Sequence, residues 1–460
     1  MKKVAKRTVA ALVLAAALVL GLGAFLIQYL IRGDDWAVFP GNPHTYTGAN
    51  LNSGILTDRS GTVVLDATDG RTYAADAGVR TAMLHLLGDR EGYIAAPLLG
   101  HYADALVGYD FLSGTYSLSG RASTGVLTVS AQVQATALEA LDGRAGAVGV
   151  YNYETGEILC AVSSPSYDPD NVPDIAGDTT GAYTGVYVNR FFNATLTPGS
   201  IFKIVTAAAA IETMPDIWQR TFSCSGAFDV EGDTVRCNGV HGTVDLAGAM
   251  AHSCNVAFGQ LALELGPEVL TDYAERLGVT SSFSVDGYET AAGHFDLSDA
   301  AQVDVAWAGI GQYTDLVNPC GYLRMLGAIA AGGQGAEPYL MASVDSRKAT
   351  ASYTARTERT EALLEPETCE ALANLLHNNV VRTYGEGNFP GLYVCAKSGT
   401  AEVDGEMPHA TFAGFVLDEA YPLAFLVMVE NAGAGSGIGR SVASQVLAAC
   451  VQVLDGEAQP

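Results

Sequence analysis

The stretch TPGSIFKIVTAAAAIE (Thr197–Glu212) opens with two helix breakers and continues as an apolar run. Pro198 and Gly199 interrupt the chain, and the residues after them are hydrophobic on every side, the pattern of a helix buried in a core. One turn into that helix stands a single lysine, Lys203. Burying an ammonium without a partner is costly, so Lys203 calls for a role. Ser200 lies three residues earlier, a spacing that puts hydroxyl and amine on one helical face. A serine hydroxyl is a poor nucleophile until a neighbouring base takes its proton. A lysine serves as that base only when its pKa falls well below about 10.4. Apolar burial and a helix N-terminus both push it down.

Ser-x-x-Lys by itself is a weak signal, and two further stretches strengthen it. AHSCNVAFGQ holds Ser253-Cys254-Asn255 between two helical segments, and KSGT begins at Lys397 on an expected strand. Lysine is scarce, occurring only at Lys2, Lys3, Lys6, Lys203, Lys348 and Lys397, so two of the three internal lysines fall in motif positions. The two-residue period of a strand puts Ser398 and Thr400 on one face. Gly399 between them has no side chain, and the expectation is that it lets a ligand approach the backbone.

Outward from these motifs, 460 residues leave room for two or three domains. Against 50 acidic residues there are 24 basic ones, which argues against nucleic acid as a partner because phosphate binding needs a basic surface. At the N-terminus Lys2, Lys3, Lys6 and Arg7 precede an apolar stretch from Thr8 to Ile31. A bilayer span takes about 20 apolar residues and a cleaved signal core about 7–15, so the length favours a retained anchor. With positive charge concentrated before the span, the tail is expected in the cytoplasm and the rest outside. The sequence therefore divides into a cytoplasmic tail (1–7), a transmembrane anchor (8–32), a small non-catalytic module (33–143) and a larger unit (144–460).

In the module, SGILTDRSGTVVLDA reads as a hairpin about an Asp58-Arg59-Ser60-Gly61 turn. TAMLHLLG reads as a short helix, and TVSAQVQATALEALDG as a helix stopped by Gly143. His44, His85 and His101 read as surface residues. The larger unit begins with two strands in GAVGVYNYETGEILCAVSSP. It then runs through a helical middle from Val244 to about Ala331, and ends with three strands in LYVCAKSGTAEV, TFAGFV and PLAFLVMVEN before a closing helix. Strands at both ends of a helical middle give an α+β class, an antiparallel sheet with helices on its faces. The tail DGEAQP reads as disordered.

Eight cysteines show no C-x-x-C pair, and neither they nor His241, His252, His294, His377 and His409 show a zinc spacing. Cys224 and Cys237 flank SGAFDVEGDTVR, a hairpin turning at Glu231-Gly232-Asp233. Two readings stay open for that pair: a disulfide, worth about 3 kcal/mol for so short a loop, or two reduced thiols packed side by side. The other cysteines read as small buried apolar residues, and the role of Cys254 inside its motif stays open.

The order Ser-x-x-Lys, Ser-x-Asn, Lys-Ser-Gly resembles that of the penicillin-binding proteins and serine β-lactamases. GILTDRSGTVV, GAVGVYNYETGEILCAVSSPSYDPD, TPGSIFKIVTAAAAIE, HGTVDL, GIGQ and KSGTAE resemble, in order, the usual stretches of class B penicillin-binding proteins, the penicillin-binding protein A and cell-division transpeptidase type. The resemblance runs from about Ser53 to the final helix. It implies a transpeptidase fold and a peptidoglycan D,D-transpeptidase that cross-links stem peptides through a serine acyl-enzyme and is inhibited by β-lactam antibiotics. It further implies Ser200 as nucleophile, Lys203 as base, Ser253 as proton relay held by Lys203 and Lys397, and Asn255 on the substrate amide. Ser398 and Thr400 would hold the substrate carboxylate, with the backbone N–H groups of Ser200 and Thr400 as oxyanion hole. No metal or organic cofactor is implied. The partners implied are stem peptides, a SEDS-family glycosyltransferase and other cell-wall machinery, at the cell membrane.

Rival readings on the same motifs are a β-lactamase or β-lactam sensor, a D,D-carboxypeptidase, and an idle scaffold for a glycan polymerase. The intact serines, lysines and asparagine argue against the scaffold. The chain departs from the family's pattern at LTVSAQVQ, at Ile201 where threonine is common, at Cys254, and at Tyr313 where glycine is frequent. None of these removes a catalytic group.

Overall fold

The run Leu423–Val429 is apolar at every position, and its neighbours explain why. In the computed structural model it is the middle strand of a five-stranded antiparallel sheet. The order is Val394–Ala401, His409–Val416, Leu423–Val429, Gly146–Asn152, Ile158–Ser164. Phe425, Val427 and Val429 face one helical layer, formed by Ala131–Leu141 and Ile438–Glu457. Ala424, Leu426 and Met428 face the other, which includes Lys203–Thr213, Asn255–Arg276, Pro319–Ala330 and Pro366–Asn379. A strand covered on both faces has no solvent side to mark with polar residues, and each large side chain so buried contributes about 1.5–3 kcal/mol. The α+β architecture expected from the sequence is therefore present. The structure describes all residues except 1, 40, 41, 43, 44, 49, 108–122, 346–351, 404, 434–436 and 458–460. His44 and Lys348 lie outside the described residues.

The helix Ala131–Leu141 starts where the Ser130 side chain accepts from the Val133 N–H and ends at Asp142 and Gly143, both at positive φ. It precedes residue 144 in the chain but packs on the large sheet through Val133, Ala137 and Leu141. The segment before it forms a second sheet, of six strands, in the order Tyr353–Thr354, Met341–Asp345, Thr124–Leu127, Ile55–Thr57, Val63–Asp66, Thr72–Tyr73. The hairpin Ile55–Thr57/Val63–Asp66 turns on Asp58, whose Oδ1 accepts from the backbone N–H groups of Ser60 and Thr62. Two strands from beyond residue 340 thus complete a sheet begun before residue 130.

The N-terminal helix Lys2–Ala37 contains an 18-residue apolar stretch with a mean hydropathy of 2.7, none of it buried. At about 1.5 Å per residue it is long enough to cross a bilayer. Tyr29 and Trp36 contact each other and Phe25 in the C-terminal part of the helix.

Two local readings of the sequence change. His85 is buried, with Nε2 2.8 Å from the Val186 carbonyl, and burial lowers its pKa to about 4. It lies on an apolar helix of four residues, Leu84–Leu87, all of them buried. In the tail, Asp455 to Glu457 continue the closing helix. Arg59 forks onto Glu457 (Nε to Oε1 2.7 Å, Nη2 to Oε2 2.9 Å) and donates to the Thr128 carbonyl at 2.9 Å. The partner that orders the tail is 398 residues away in the chain, so no local pattern announces it. Replacing Arg59 with methionine removes a bidentate pair and a backbone contact together. It should cost about 1–2 kcal/mol, read as a lower unfolding midpoint, with Glu457→Gln showing a smaller shift in the same direction. An unchanged midpoint in Arg59→Met would mean that the clamp contributes nothing.

Candidate active site

Gly199–Phe202 is a single 3₁₀ turn that leads into the helix Lys203–Thr213. Gly199 has φ +58, and a Cβ there would lie 2.6 Å from the Thr400 carbonyl oxygen. Across the contact, a Cβ on Gly399 would lie 2.1 Å from Thr411 Oγ1 and 2.8 Å from the Pro198 carbonyl oxygen. The two glycines let the turn carrying Ser200 press directly on the strand Val394–Ala401. This corrects the expectation for Gly399: its missing side chain admits the nucleophile's turn and Thr411, on the face of the strand opposite Ser398 and Thr400. Ser398 and Thr400 themselves line a cleft of ≈ 560 Å³ with Ser200, Ser253 and Asn255.

Lys203 is fully buried. Its Nζ lies 3.0 Å from Ser200 Oγ, 2.8 Å from the Ser253 carbonyl oxygen, 3.1 Å from Ser253 Oγ and 2.7 Å from Asn255 Oδ1. The Asn255 amide is oriented by its Nδ2, which donates to the Arg236 carbonyl at 2.9 Å. Two of the four partners of Nζ, the Ser253 carbonyl and Asn255 Oδ1, can only accept. A neutral amine has two N–H groups for those acceptors and one lone pair left for a hydroxyl. Burial lowers the Lys203 pKa from 10.5 to about 7, against smaller raising effects from Cys237 and Cys254. The amine is thus available as a base near neutrality.

Lys397 is the second fully buried lysine. Its Nζ donates to Ser253 Oγ at 2.9 Å and to the Ser398 carbonyl at 2.8 Å. Burial, and then the nearby charge of Lys203, push its pKa well below the usual lysine value. Ser253 Oγ sits between the two amines. Ser253 has φ +52, a left-handed conformation uncommon for a residue with a side chain and costing about 1–3 kcal/mol. The helix Asn255–Arg276 starts immediately after it, capped by Cys254, whose Sγ accepts from the Ala257 N–H at 3.5 Å.

The structure brings Ser200, Lys203, Ser253, Asn255 and Lys397 into one hydrogen-bonded group. The Asn255 side chain, expected on the substrate amide, lies between Lys203 and the Arg236 carbonyl and keeps one Nδ2 hydrogen for a further acceptor. The sequence reading missed Tyr384, whose hydroxyl accepts from the Ser398 N–H at 2.8 Å and lies 3.0 Å from Ser398 Oγ. It also missed Arg236, Trp307 and Glu402, which line the cleft. Tyr384 ends a π-turn, Val380–Tyr384, and no short motif connects it to KSGT. Tyr313, noted at a position where glycine is frequent, does adopt φ +71.

Cys224 and Cys237 are free thiols, so the disulfide reading is not met. Cys237 Sγ lies 3.5 Å from His241 Nδ1 and 3.8 Å from Cys254 Sγ, and Cys224 Sγ lies 3.6 Å from the same His241 nitrogen. A disulfide needs about 2.05 Å between sulfurs.

Comparison with known proteins places these motifs in a family. Residues 146–449 match the model of the penicillin-binding protein transpeptidase domain. The peptidoglycan D,D-transpeptidase PbpA of Mycobacterium tuberculosis is 27% identical over 375 residues, 76% of this chain and 75% of that one. Among solved structures, penicillin-binding protein A from M. tuberculosis as a ceftriaxone acyl-enzyme superposes with a TM-score of 0.75 at 24% identity, covering 87% of this chain and 98% of the other. The D,D-transpeptidase domain of a peptidoglycan glycosyltransferase from Eggerthella lenta gives 0.73 at 26% identity, with the same coverage.

The site geometry makes two outcomes testable. Because Lys203 must be neutral to take a proton, the rate at which Ser200 is acylated by a fluorescent penicillin should rise with pH, reach half its plateau near about 7, and level off above. A half-point remaining near the ordinary lysine pKa would remove Lys203 as the base. Gly399→Ala should slow the same acylation by about 100-fold, the scale of a 1 Å misplacement, with circular dichroism unchanged; a wild-type rate would show that the turn and the strand need not touch.

Proposed function

The chain belongs to the penicillin-binding protein transpeptidase family, and we propose that it cross-links peptidoglycan stem peptides through an acyl-enzyme on Ser200. The observation that carries the assignment of residues is the buried Lys203 amine 3.0 Å from Ser200 Oγ, with its N–H groups directed to acceptors on the Ser253–Asn255 loop. Ser200 Oγ attacks the carbonyl of the D-alanyl-D-alanine bond while its proton passes to the Lys203 lone pair. The developing oxyanion is held by the Ser200 and Thr400 backbone N–H groups, an effect worth several kcal/mol in acyl transfer. The proton moves from Lys203 to Ser253 Oγ, which gives its own to the departing D-alanine amine. Lys397, donating to Ser253 Oγ, holds that hydroxyl in line. An amine from a second stem peptide then attacks the ester, and the same groups work in reverse. Ser398 and Thr400, on the cleft face of their strand, take the terminal carboxylate of the donor peptide.

The long apolar helix at the N-terminus supports anchoring at the membrane. Lys2, Lys3, Lys6 and Arg7 before it support a cytoplasmic N-terminus with the catalytic unit outside. A membrane-embedded glycan polymerase of the SEDS family is the partner that this arrangement suits, since cross-links are made on newly polymerised strands.

Incubating the full-length protein with a cross-linkable stem peptide and separating labelled muropeptides tests the reading directly. Cross-linked dimers and a long-lived penicillin adduct at Ser200 are expected in the wild type, and neither in Ser200→Ala. Rapid turnover of penicillin would point to a lactamase, release of D-alanine without dimers to a carboxypeptidase, and absence of any adduct to a scaffold; each would overturn cross-linking.

A further inference from the structure

Beside the active site lies a group of side chains that the transpeptidase chemistry does not use. Cys224, Cys237, His241 and Cys254 come from four separate points of the chain, and their sulfur atoms and one imidazole nitrogen all lie within 4.8 Å of one another. Cys224 ends the short strand Phe222–Cys224, Cys237 follows the hairpin strand Asp233–Arg236, His241 precedes the strand Gly242–Val244, and Cys254 caps the helix Asn255–Arg276. We propose that these four residues form a structural Zn²⁺ site that pins the hairpin wall of the cleft to the Ser253–Asn255 loop.

Three of the six distances among these four atoms match the edges of a tetrahedral zinc site. Zinc with Zn–S of about 2.3 Å and Zn–N of about 2.0–2.1 Å requires ligand atoms about 3.8 Å apart for a sulfur–sulfur edge and about 3.5 Å for a sulfur–nitrogen edge. The observed edges are 3.8 Å for Cys237–Cys254, 3.5 Å for Cys237–His241 and 3.6 Å for Cys224–His241. The remaining distances also lie within 4.8 Å, so three sulfurs and a nitrogen are close enough to share one ion. A Cys₃His donor set selects zinc over the hard cations, which take oxygen ligands.

The surroundings fit thiolates held in place. The Asn255 N–H donates to Cys237 Sγ at 3.2 Å, and the Ala257 N–H to Cys254 Sγ at 3.5 Å. Outer hydrogen bonds of this kind orient metal ligands. The His241 ring stacks on His252 with centroids 5.1 Å apart and planes 15° apart, which fixes its orientation. Cys224 and Cys254 are buried. Four protein ligands leave no open position for water, the mark of a structural site as opposed to a catalytic one. A disulfide accounts for the group less well, since any one pairing strands the third sulfur. Packing of reduced thiols gives no reason for two sulfurs to converge on the same imidazole nitrogen, because S–H groups are weak donors.

Such a site would act on the reaction by position. Arg236, Cys237 and Asn238 form one wall of the cleft, and the Arg236 carbonyl receives the Asn255 amide that also touches Lys203. Fixing Cys237 against Cys254 therefore fixes the acceptor that orients Asn255. The donor geometry stands apart from the acyl-transfer reading, so metal content and Ser200 reactivity fail separately.

The test uses the full-length chain in detergent, purified without chelators. Elemental analysis should give about one zinc per chain. Exchange of zinc for Co²⁺ should give the visible bands of tetrahedral cobalt with thiolate-to-metal charge transfer in the near ultraviolet. Cys224→Ser and His241→Ala should each weaken zinc binding by more than about 100-fold. Stripping the metal should slow penicillin acylation about tenfold, with recovery on adding Zn²⁺ but not Mg²⁺. A wild-type chain with no bound zinc and no tetrahedral cobalt spectrum would overturn the proposal, as would a disulfide among the three cysteines found by mass spectrometry. Both are read on the wild type, so a variant that fails to fold does not blur the result.

Discussion

The chemistry of this protein depends on a primary amine with no access to water. Lys203 gives up hydration when its helix packs into the core, and the four oxygens around its Nζ include no carboxylate to restore the charged form. The lower pKa is the direct result of that burial, and it converts an ordinary cation into a base near pH 7. The direction of the lone pair is set separately, by a carbonyl and an amide oxygen that occupy the two N–H groups. Desolvation creates the base, and hydrogen bonding aims it.

Aiming requires three segments to meet with little tolerance. The turn at Gly199 touches the strand at Thr400, the strand at Gly399 touches Pro198 and Thr411, and the Ser253 loop closes over both lysines. Two of these contacts exist because a Cβ is missing, and the third holds a serine at positive φ. The conformational cost of Ser253 is offset by hydrogen bonds to its carbonyl and hydroxyl from two buried amines. The cluster of Cys224, Cys237, His241 and Cys254 adjoins the same loop, since Cys254 directly follows the strained serine.

Much of the site was legible because its residues sit in short motifs with physical periods. Ser200 and Lys203 are one helical turn apart, and Ser398 and Thr400 are one strand period apart, so spacing alone puts each pair on a common face. The sheet was legible for the same reason: Gly146–Asn152, Ile158–Ser164, His409–Val416 and Leu423–Val429 are largely apolar runs of strand length. The features that escaped were long-range. Tyr384 meets Ser398 from a different element, Arg59 meets Glu457 across nearly the whole chain, and His85 looks polar in sequence but is enclosed by the packing of its helix. At Gly399 the sequence shows that a side chain is missing, but only the packing shows that Thr411 and Pro198 fill the space.

The sequence by itself determined which groups are nucleophile and base candidates, the α+β class, and a chain with one long apolar N-terminal helix, because these depend on residue type and on periods of two and 3.6. Tertiary structure decided which lysine nitrogen faces which oxygen, that strands from beyond residue 340 complete the six-stranded sheet, and that three sulfurs and an imidazole nitrogen spaced x₁₂, x₃ and x₁₂ apart lie within 4.8 Å of one another. The reason is the same in each case. Local spacing fixes direction within one element, whereas a contact between elements depends on the packing of everything between them.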